Sequence, residues 1–86
     1  MNRTKNQPMR GAPPSVFAAR LIAARHAAGL TQFELAEMVN RNPTHIVNLE
    51  GGRGWPSVAL LIDLADALRV SVDYLLGRKR RVPRAA

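Results

Sequence analysis

The hydrophobic residues of this chain fall into runs with the three- and four-residue spacing of one helix face, and residues that favour helix ends separate the runs. The first run begins at Ser15, a good N-cap residue, and stops at Gly29, which readily adopts the left-handed conformation found after helices. Its inward positions are Phe17, Leu21, Ala24 and Ala28. The pattern predicts a first helix between Ser15 and Gly29.

Two short helices, separated by about three residues, are predicted next. Thr31 and Glu34 form a capping-box pattern at the start of one, and Asn40 suits the tight turn that ends it. Asn42 and Pro43 suit the N-cap and the first position of the other, which stops at the glycines that follow it. The inward positions of the two helices are Leu35, Ala36, Val39, Ile46 and Leu49. Because so short a connection makes two helices cross steeply, the sequence predicts a helix-turn-helix.

Ser57 and Ser71 are suited to cap a fourth and a fifth helix, and Gly77 closes the last one. Trp55 lies in the turn before the fourth helix, and its indole is expected to pack on that helix; an exposed position, beside a bound nucleic acid strand or at a dimer contact, is the alternative. The inward positions are Val58, Leu61, Ile62, Ala65 and Leu68 in the fourth helix and Val72, Leu75 and Leu76 in the fifth. Five helical runs predict an all-α fold, with one domain over residues 15–77.

The composition fits one small helical domain. The chain has 86 residues, enough for one compact core, and its hydrophobic content of 47% includes few aromatic residues. It has no cysteine, which excludes disulfides and cysteine-based metal sites. The longest apolar stretch, residues 58–68, is too short to cross a membrane and is interrupted by Asp63 and Asp66. We therefore expect a soluble cytoplasmic protein that does not enter a membrane.

The positive charge of the chain lies at its two ends. The formal net charge is +7, yet residues 15–77 carry five arginines and six acidic residues. Residues 1–14 hold three basic residues and residues 78–86 hold five, with no acidic residue in either segment. We predict a flexible arm over residues 1–14 and a basic tail over residues 78–86. Such ends are compatible with nucleic acid, with an anionic membrane or with a role in solubility alone.

The residues that catalysis requires are not gathered into any motif. The two histidines, His26 and His45, have no thiol nucleophile to pair with, and no glycine-rich phosphate-binding motif adjoins a strand. No cluster of ligands has metal-binding spacing. We therefore expect a protein that is not an enzyme, with no catalytic residue, metal site or cofactor.

An ordered set of short motifs connects the chain to a known family. These motifs are Gly29-Leu30-Thr31-Gln32, Glu34-Leu35-Ala36, Ile46, Leu49-Glu50, Gly52, Pro56-Ser57 and Val70-Ser71-Val72-Asp73-Tyr74-Leu75-Leu76-Gly77. In this order and spacing they resemble the lambda-repressor-like helix-turn-helix domains of phage repressor and Cro proteins and of many small bacterial regulators. The resemblance covers about residues 15–77. It implies sequence-specific binding to double-stranded DNA and regulation of transcription, most simply repression.

The resemblance also implies that the third helix enters the major groove of DNA. The face opposite Ile46 presents Thr44, His45, Val47 and Asn48, of which Asn48 can bond an adenine edge and Val47 can contact a thymine methyl group. Pro43 stands where family members often carry a base-contacting polar side chain, so one direct contact to a base is expected to be absent. The helix has no Arg or Lys, so a bidentate contact from it to guanine is not expected; His45 is an alternative donor. A merely solvated polar face is the competing interpretation.

Two further groups of residues take roles from the resemblance. Phosphate contacts are implied for Gln32 and Arg53, although a helix-favouring polar residue and an ordinary flexible loop would explain them as well. Arg41 and Asn42, at the turn, are expected to compensate through phosphate for the contact that Pro43 does not make. Arg25 and Glu50 each follow a buried position by one turn, and family members form an ion pair there that ties the first helix to the third. We expect the same ion pair here.

The predicted partners are double-stranded DNA and a second copy of the chain. Family members bind two half-sites about one helical turn apart, so a homodimer on DNA is expected, with the fifth helix and its flanks, including Tyr74 and Val70, as the contact surface. An alternative function is that of an antitoxin, which would bind a partner toxin and repress its own promoter. The sequence does not distinguish the two, because an antitoxin of this kind keeps the same DNA-binding motif.

Overall fold

The computed structural model describes residues 14–78, and every regular element in that range is an α-helix. The five helices are α1 (Pro14–Ala27), α2 (Gln32–Met38), α3 (Pro43–Glu50), α4 (Val58–Leu68) and α5 (Val72–Leu75). None of these helices is both long enough and apolar enough to cross a membrane. The prediction of an all-α fold with five helices is confirmed.

The helix ends around the turn between α2 and α3 follow the sequence signals. Thr31 Oγ1 accepts a hydrogen bond from Glu34 N at 3.0 Å, and Glu34 Oε1 accepts one from Thr31 N at 2.9 Å, which completes the predicted capping box. Asn42 Oδ1 accepts from Thr44 N at 2.8 Å, with Pro43 at the first helical position. Asn40 has a φ of 58°, the left-handed conformation expected of it.

At the outer helices the predictions hold less uniformly. Ser57 and Ser71 cap α4 and α5 as predicted. The start of α1 is two residues earlier than predicted: an N-cap at Ser15 would make residue 16 the first of the helix, but Pro14 already belongs to it. The fixed φ of proline suits a first helical position, and Ser15 is therefore not the N-cap. Arg69, with φ of 60° and ψ of 40°, ends α4 in the left-handed region, and arginine gives no sequence signal for that conformation.

One hydrophobic core lies between the helices. The predicted inward positions of α2 and α3 are all buried, as are Phe17, Leu21 and Ala24 of α1. Ala28 is exposed, contrary to prediction, because α1 ends at Ala27; Ala18 is buried within the helix. The buried cluster consists of Phe17, Leu21, Ala24, Leu35, Ala36, Val39, Ile46, Leu49, Leu60, Leu64, Ala65, Leu68, Tyr74 and Leu75.

The predicted inward face of α4 is partly wrong. Ala65 and Leu68 are buried as expected, but the other deeply buried positions are Leu60 and Leu64. Val58 is 73% exposed and Ile62 is 47% exposed. The helix is apolar around most of its circumference, so periodicity does not select one face, and packing against the other helices decides.

Tyr74 was expected at the surface, and this prediction is wrong. Its side chain is only 5% exposed and belongs to the core, while Val70 is partly buried against that core. The Arg20 guanidinium lies 4.7 Å from the centroid of the Tyr74 ring, and Arg20 Nη1 donates a hydrogen bond to Tyr74 O at 3.0 Å. Arg20 therefore covers the tyrosine and ties α1 to α5.

Trp55 packs on a different helix from the one predicted. Its ring centroid is 5.8 Å from that of Phe17 in α1, at an interplanar angle of 40°, and 42% of the residue remains exposed.

The predicted basic arm and tail lie outside the described residues, except for Pro14 and Arg78. Arg78 lies 3.6 Å from the Asp73 carboxylate in an exposed ion pair.

Candidate nucleic-acid interface

Helix α3 divides its side chains between the core and the surface. Ile46 and Leu49 are buried and hold the helix against α1 and α2. On the other side Thr44, His45 and Val47 are exposed, and Asn48 is partly exposed. These are the four residues that the sequence predicted at a base-reading surface, and the structure brings them together on one face. The face contains hydrogen-bond donors, acceptors and an aliphatic group, the kinds of group that distinguish base edges in the major groove.

The C-terminal end of α3 is fixed by the ion pair expected between Arg25 and Glu50. Arg25 Nε lies 2.6 Å from Glu50 Oε2, and Arg25 Nη2 lies 3.0 Å from Glu50 Oε1. The side chains are 11% and 4% exposed, respectively, so the pair is largely removed from water. Arg25 Nη1 also donates to Leu30 O at 2.9 Å, on the segment that leads into α2. The bidentate geometry holds the helix end in one orientation relative to α1.

Gln32, the first residue of α2, joins the same group of polar side chains. Its Nε2 donates to Glu50 Oε1 at 2.9 Å, so the carboxylate accepts hydrogen bonds from both α1 and α2. This contact did not follow from the sequence, which assigned Gln32 to a phosphate. An amide nitrogen has two hydrogens, and Glu50 occupies one of them. Glu50 therefore determines the direction in which the Gln32 amide is held.

Arg53 lies beside the last turn of α3. Its Nη1 donates to Asn48 Oδ1 at 3.1 Å, and its backbone N donates to Asn48 O at the same distance. Gly52, with φ of +76°, turns the chain back toward the helix. The contact brings together one residue predicted to read bases and one predicted to bind phosphate. A pair of glycines between the two residues was the only sequence signal for it.

Arg41 and Asn42 lie at the turn before α3. Arg41 Nη1 donates to Val39 O at 3.1 Å and to Asn40 O at 3.5 Å, which holds the guanidinium near the turn. The oxygen of the Asn42 side chain caps α3. Both residues are therefore at the end of α3 opposite Arg53, and cationic groups stand at both ends of the exposed face.

A groove elsewhere on the domain does not share this chemistry. An open groove near the end of α2 and along α4 is lined by Met38, Val39, Asn40, Asp63, Asp66 and Ala67. Its two carboxylates would repel phosphate, which distinguishes it from the α3 face. Between residues 14 and 78 no group of three or more histidine, cysteine or acidic side chains is arranged to hold a metal ion.

The arrangement of α2 and α3 defines the class of the domain. Two short helices joined by residues 39–42 pack on one core, and the second exposes a polar face flanked by basic residues. This is a helix-turn-helix. Residues 16–77 match the sequence pattern of the helix-turn-helix domain family, and the chain belongs to that family. The resemblance to lambda-repressor-like domains is thereby confirmed.

Two curated relatives share this region. The chain is 37% identical over 59 residues to the cryptic phage CTXphi transcriptional repressor RstR of Vibrio cholerae, with 69% of the chain and 53% of the relative covered. It is 41% identical over 59 residues to the transcriptional regulator ImmR of Bacillus subtilis, with 69% of the chain and 46% of the relative covered. The chain spans about half the length of these two proteins.

Solved structures share the fold. The restriction-modification controller protein C.AhdI of Aeromonas hydrophila is 29% identical, with a TM-score of 0.68, over 72% of this chain and 94% of its own. The P22 c2 repressor, whose structure contains a synthetic operator, is 30% identical with a TM-score of 0.70, over 73% of this chain and 96% of its own. The likeness covers nearly the whole of both solved chains.

Proposed function

We propose that this protein binds double-stranded DNA in a sequence-specific manner and regulates transcription, as a repressor. The observation that carries the proposal is the exposed face of α3, which presents varied base-reading chemistry on a helix anchored by buried Ile46 and Leu49. Two relatives named as transcriptional regulators, and a similar structure bound to an operator, support this assignment. No catalytic step is part of the function.

Base recognition is assigned to Thr44, His45, Val47 and Asn48. Thr44 has a hydroxyl that can donate or accept, His45 can donate to a purine, and Val47 is 46% exposed and offers methyl groups to thymine. Pro43 lacks an amide hydrogen and a polar side chain. The first position of α3 can therefore make van der Waals contact with DNA but cannot donate a hydrogen bond to it.

Phosphate contacts are assigned to Gln32, Arg41, Asn42 and Arg53, which surround the α3 face. Gln32 has one amide hydrogen that its Glu50 contact does not require, and this hydrogen is the donor proposed for a phosphate oxygen. Arg41 and Arg53 add positive charge at the two ends of α3. Contacts of this kind fix the orientation of the protein on the duplex but carry no sequence information directly.

We further propose that the chain acts as a homodimer on DNA, in the cytoplasm. Tyr74 does not contribute to the surface first expected, the fifth helix with its flanks, because its side chain is buried, whereas Val70 there is partly exposed. Val58 and Ile62 lie one turn apart on α4 and are exposed, so a second copy could cover them in a two-fold contact. Ile62→Asp should then leave the fold intact and raise the dimer dissociation constant, measured by sedimentation. An unchanged constant would exclude this surface.

Selection of bound sequences from a random duplex library, using the full chain, tests the proposed function. We expect an enriched motif with two half-sites about 10 base pairs apart. Asn48→Ala and Thr44→Ala should each lower cognate affinity by about 5- to 150-fold, which corresponds to about 1–3 kcal/mol, and change random-DNA affinity little.

A matched histidine pair controls for surface effects in the same assay. His45→Ala should change the selected motif, whereas His26→Ala, at an exposed position of α1, should not. A library without any enriched motif would contradict sequence-specific binding. Capture of a defined toxin by the chain from its native host would then favour the antitoxin alternative.

A further inference from the structure

The contact between Asn48 and Arg53 changes what the α3 face presents to a base. Two hydrogen bonds of 3.1 Å join the residues, one through the Asn48 side chain and one through the backbone. A methyl group added at Gly51 would lie 3.6 Å from Arg53 Nε, so the guanidinium runs alongside the end of the helix. Arg53 is therefore held at the base-reading face rather than projecting freely from a loop.

The chemistry of the two groups fixes the orientation of the amide. A guanidinium has only donors, whereas an asparagine amide has an acceptor oxygen on one side and a donor nitrogen on the other. If the Asn48 amide rotated by 180°, its Nδ2 would take the place of Oδ1 and face Arg53 Nη1. Two donors would then face each other, and the hydrogen bond would be lost. Arg53 thus keeps Oδ1 turned toward itself and leaves Nδ2 to face elsewhere.

An asparagine that reads adenine uses both sides of its amide, accepting from N6 with the oxygen and donating to N7 with the nitrogen. Oδ1 already accepts from Arg53 and is held toward it, so one of its two lone pairs is used, and the pair presents mainly donors: Nδ2 of Asn48 and the remaining N–H groups of the guanidinium. In the major groove guanine offers two neighbouring acceptors, N7 and O6. An edge on which donors predominate, and which carries the positive charge of Arg53, matches the two acceptors of guanine better than adenine, whose N6 is itself a donor.

We propose that Asn48 and Arg53 act as one unit that recognises guanine, with Arg53 as the residue that determines this specificity. The proposal rests on the proposed function, DNA binding through α3. It replaces the adenine contact expected for Asn48 alone and supplies the guanine recognition for which α3 itself lacks an arginine or lysine. It also gives Arg53 a role beyond phosphate binding.

The experiment is selection of bound sequences with the wild-type chain, Asn48→Ala, Arg53→Ala and the double variant. The base position read by residue 48 is the one at which Asn48→Ala loses its preference. There the wild type should prefer guanine over adenine by about tenfold, within the range of a good base contact. Arg53→Ala should shift that preference to adenine, because the released amide can then pair with both N6 and N7. The double variant should show no preference between them.

Arg41→Ala is the matched control, since Arg41 is also an arginine beside α3 but its guanidinium bonds to backbone carbonyl oxygens. This variant should bind all DNA sequences more weakly by the same factor and should keep the guanine preference. If Arg53→Ala likewise lowered cognate and random affinity equally with an unchanged motif, Arg53 would be a phosphate contact only and the proposal would be overturned. Adenine in the wild-type motif at this position would overturn it too. Failure of the proposed function gives a different result, namely no motif with the wild type.

Discussion

Replacing Glu50 by methionine tests how strongly the buried ion pair holds the domain together. Methionine has nearly the length of glutamate but cannot accept the hydrogen bonds that the carboxylate receives from Arg25 and Gln32. The Arg25 guanidinium, with its side chain only 11% exposed, would then face a thioether without a counter-charge. The substitution therefore isolates the cost of leaving one buried charge unpaired.

The expected loss in the free energy of unfolding is about 3–5 kcal/mol, the range for breaking one side of a buried pair. A domain of this size has a total stability of about 5 kcal/mol or somewhat more, so the loss removes most of it. The midpoint of thermal unfolding should fall by at least about 12 °C, at about 4 °C or more for each kcal/mol. Urea unfolding followed by circular dichroism measures the free energy of unfolding, and thermal unfolding followed by the same signal measures the midpoint.

The double variant Arg25→Met/Glu50→Met provides the decisive comparison. It removes both charges, so it should be more stable than Glu50→Met alone by at least about 2 kcal/mol, although two apolar side chains do not restore the bonds to Leu30 O and Gln32. Arg78→Met, which breaks the exposed pair with Asp73, should change stability by no more than about 0.5 kcal/mol. A loss below about 1 kcal/mol for Glu50→Met, or a double variant no more stable than the single one, would refute the reasoning.

Three further sets of variants have defined outcomes. Thr31→Ala should cost about 1 kcal/mol in urea unfolding because the capping box is lost, and Thr31→Ser should restore most of it. Arg69→Gly should raise the thermal midpoint by a few degrees, since glycine adopts φ of 60° without strain, and Arg69→Val should lower it; the reverse order would contradict the assigned conformation. Residues 1–13 and 79–86 hold seven basic residues. Deleting both segments should reduce the slope of log DNA affinity against log salt concentration by several units, and the helical circular dichroism signal should be retained. An unchanged slope would show that neither end contacts DNA.

The sequence predicted those parts of the fold that depend on local interactions. The caps at Thr31, Asn42, Ser57 and Ser71 are side chains bonding to backbone two or three residues away, so a short stretch contains all the information needed. The inward face of α4 depends on distant contacts instead. With apolar residues on nearly every side, that helix satisfies two alternative patterns, and the sequence does not show which one meets the rest of the core.

The same distinction applies to the candidate site. The exposed face of α3 followed from the burial of Ile46 and Leu49, because opposite sides of a helix are fixed by its period. The contacts of Gln32 with Glu50 and of Arg53 with Asn48 did not follow, since they join polar side chains through space rather than along one helix face. Tyr74 was misplaced for a related reason: Arg20, 54 positions earlier in the chain, covers it.

The separation of α3 into two faces has a consequence for how such a protein can change. Thr44, His45 and Val47 contribute nothing to the buried cluster, so exchanging them should leave the folding free energy nearly unchanged and, under the proposed function, change which bases are preferred. In a duplicated copy of this chain, a few substitutions on this face would therefore be enough to change the operator that is bound. Each variant along the way would still fold. Asn48 is the exception on that face, because altering it also releases Arg53, and a single substitution there changes two determinants at once.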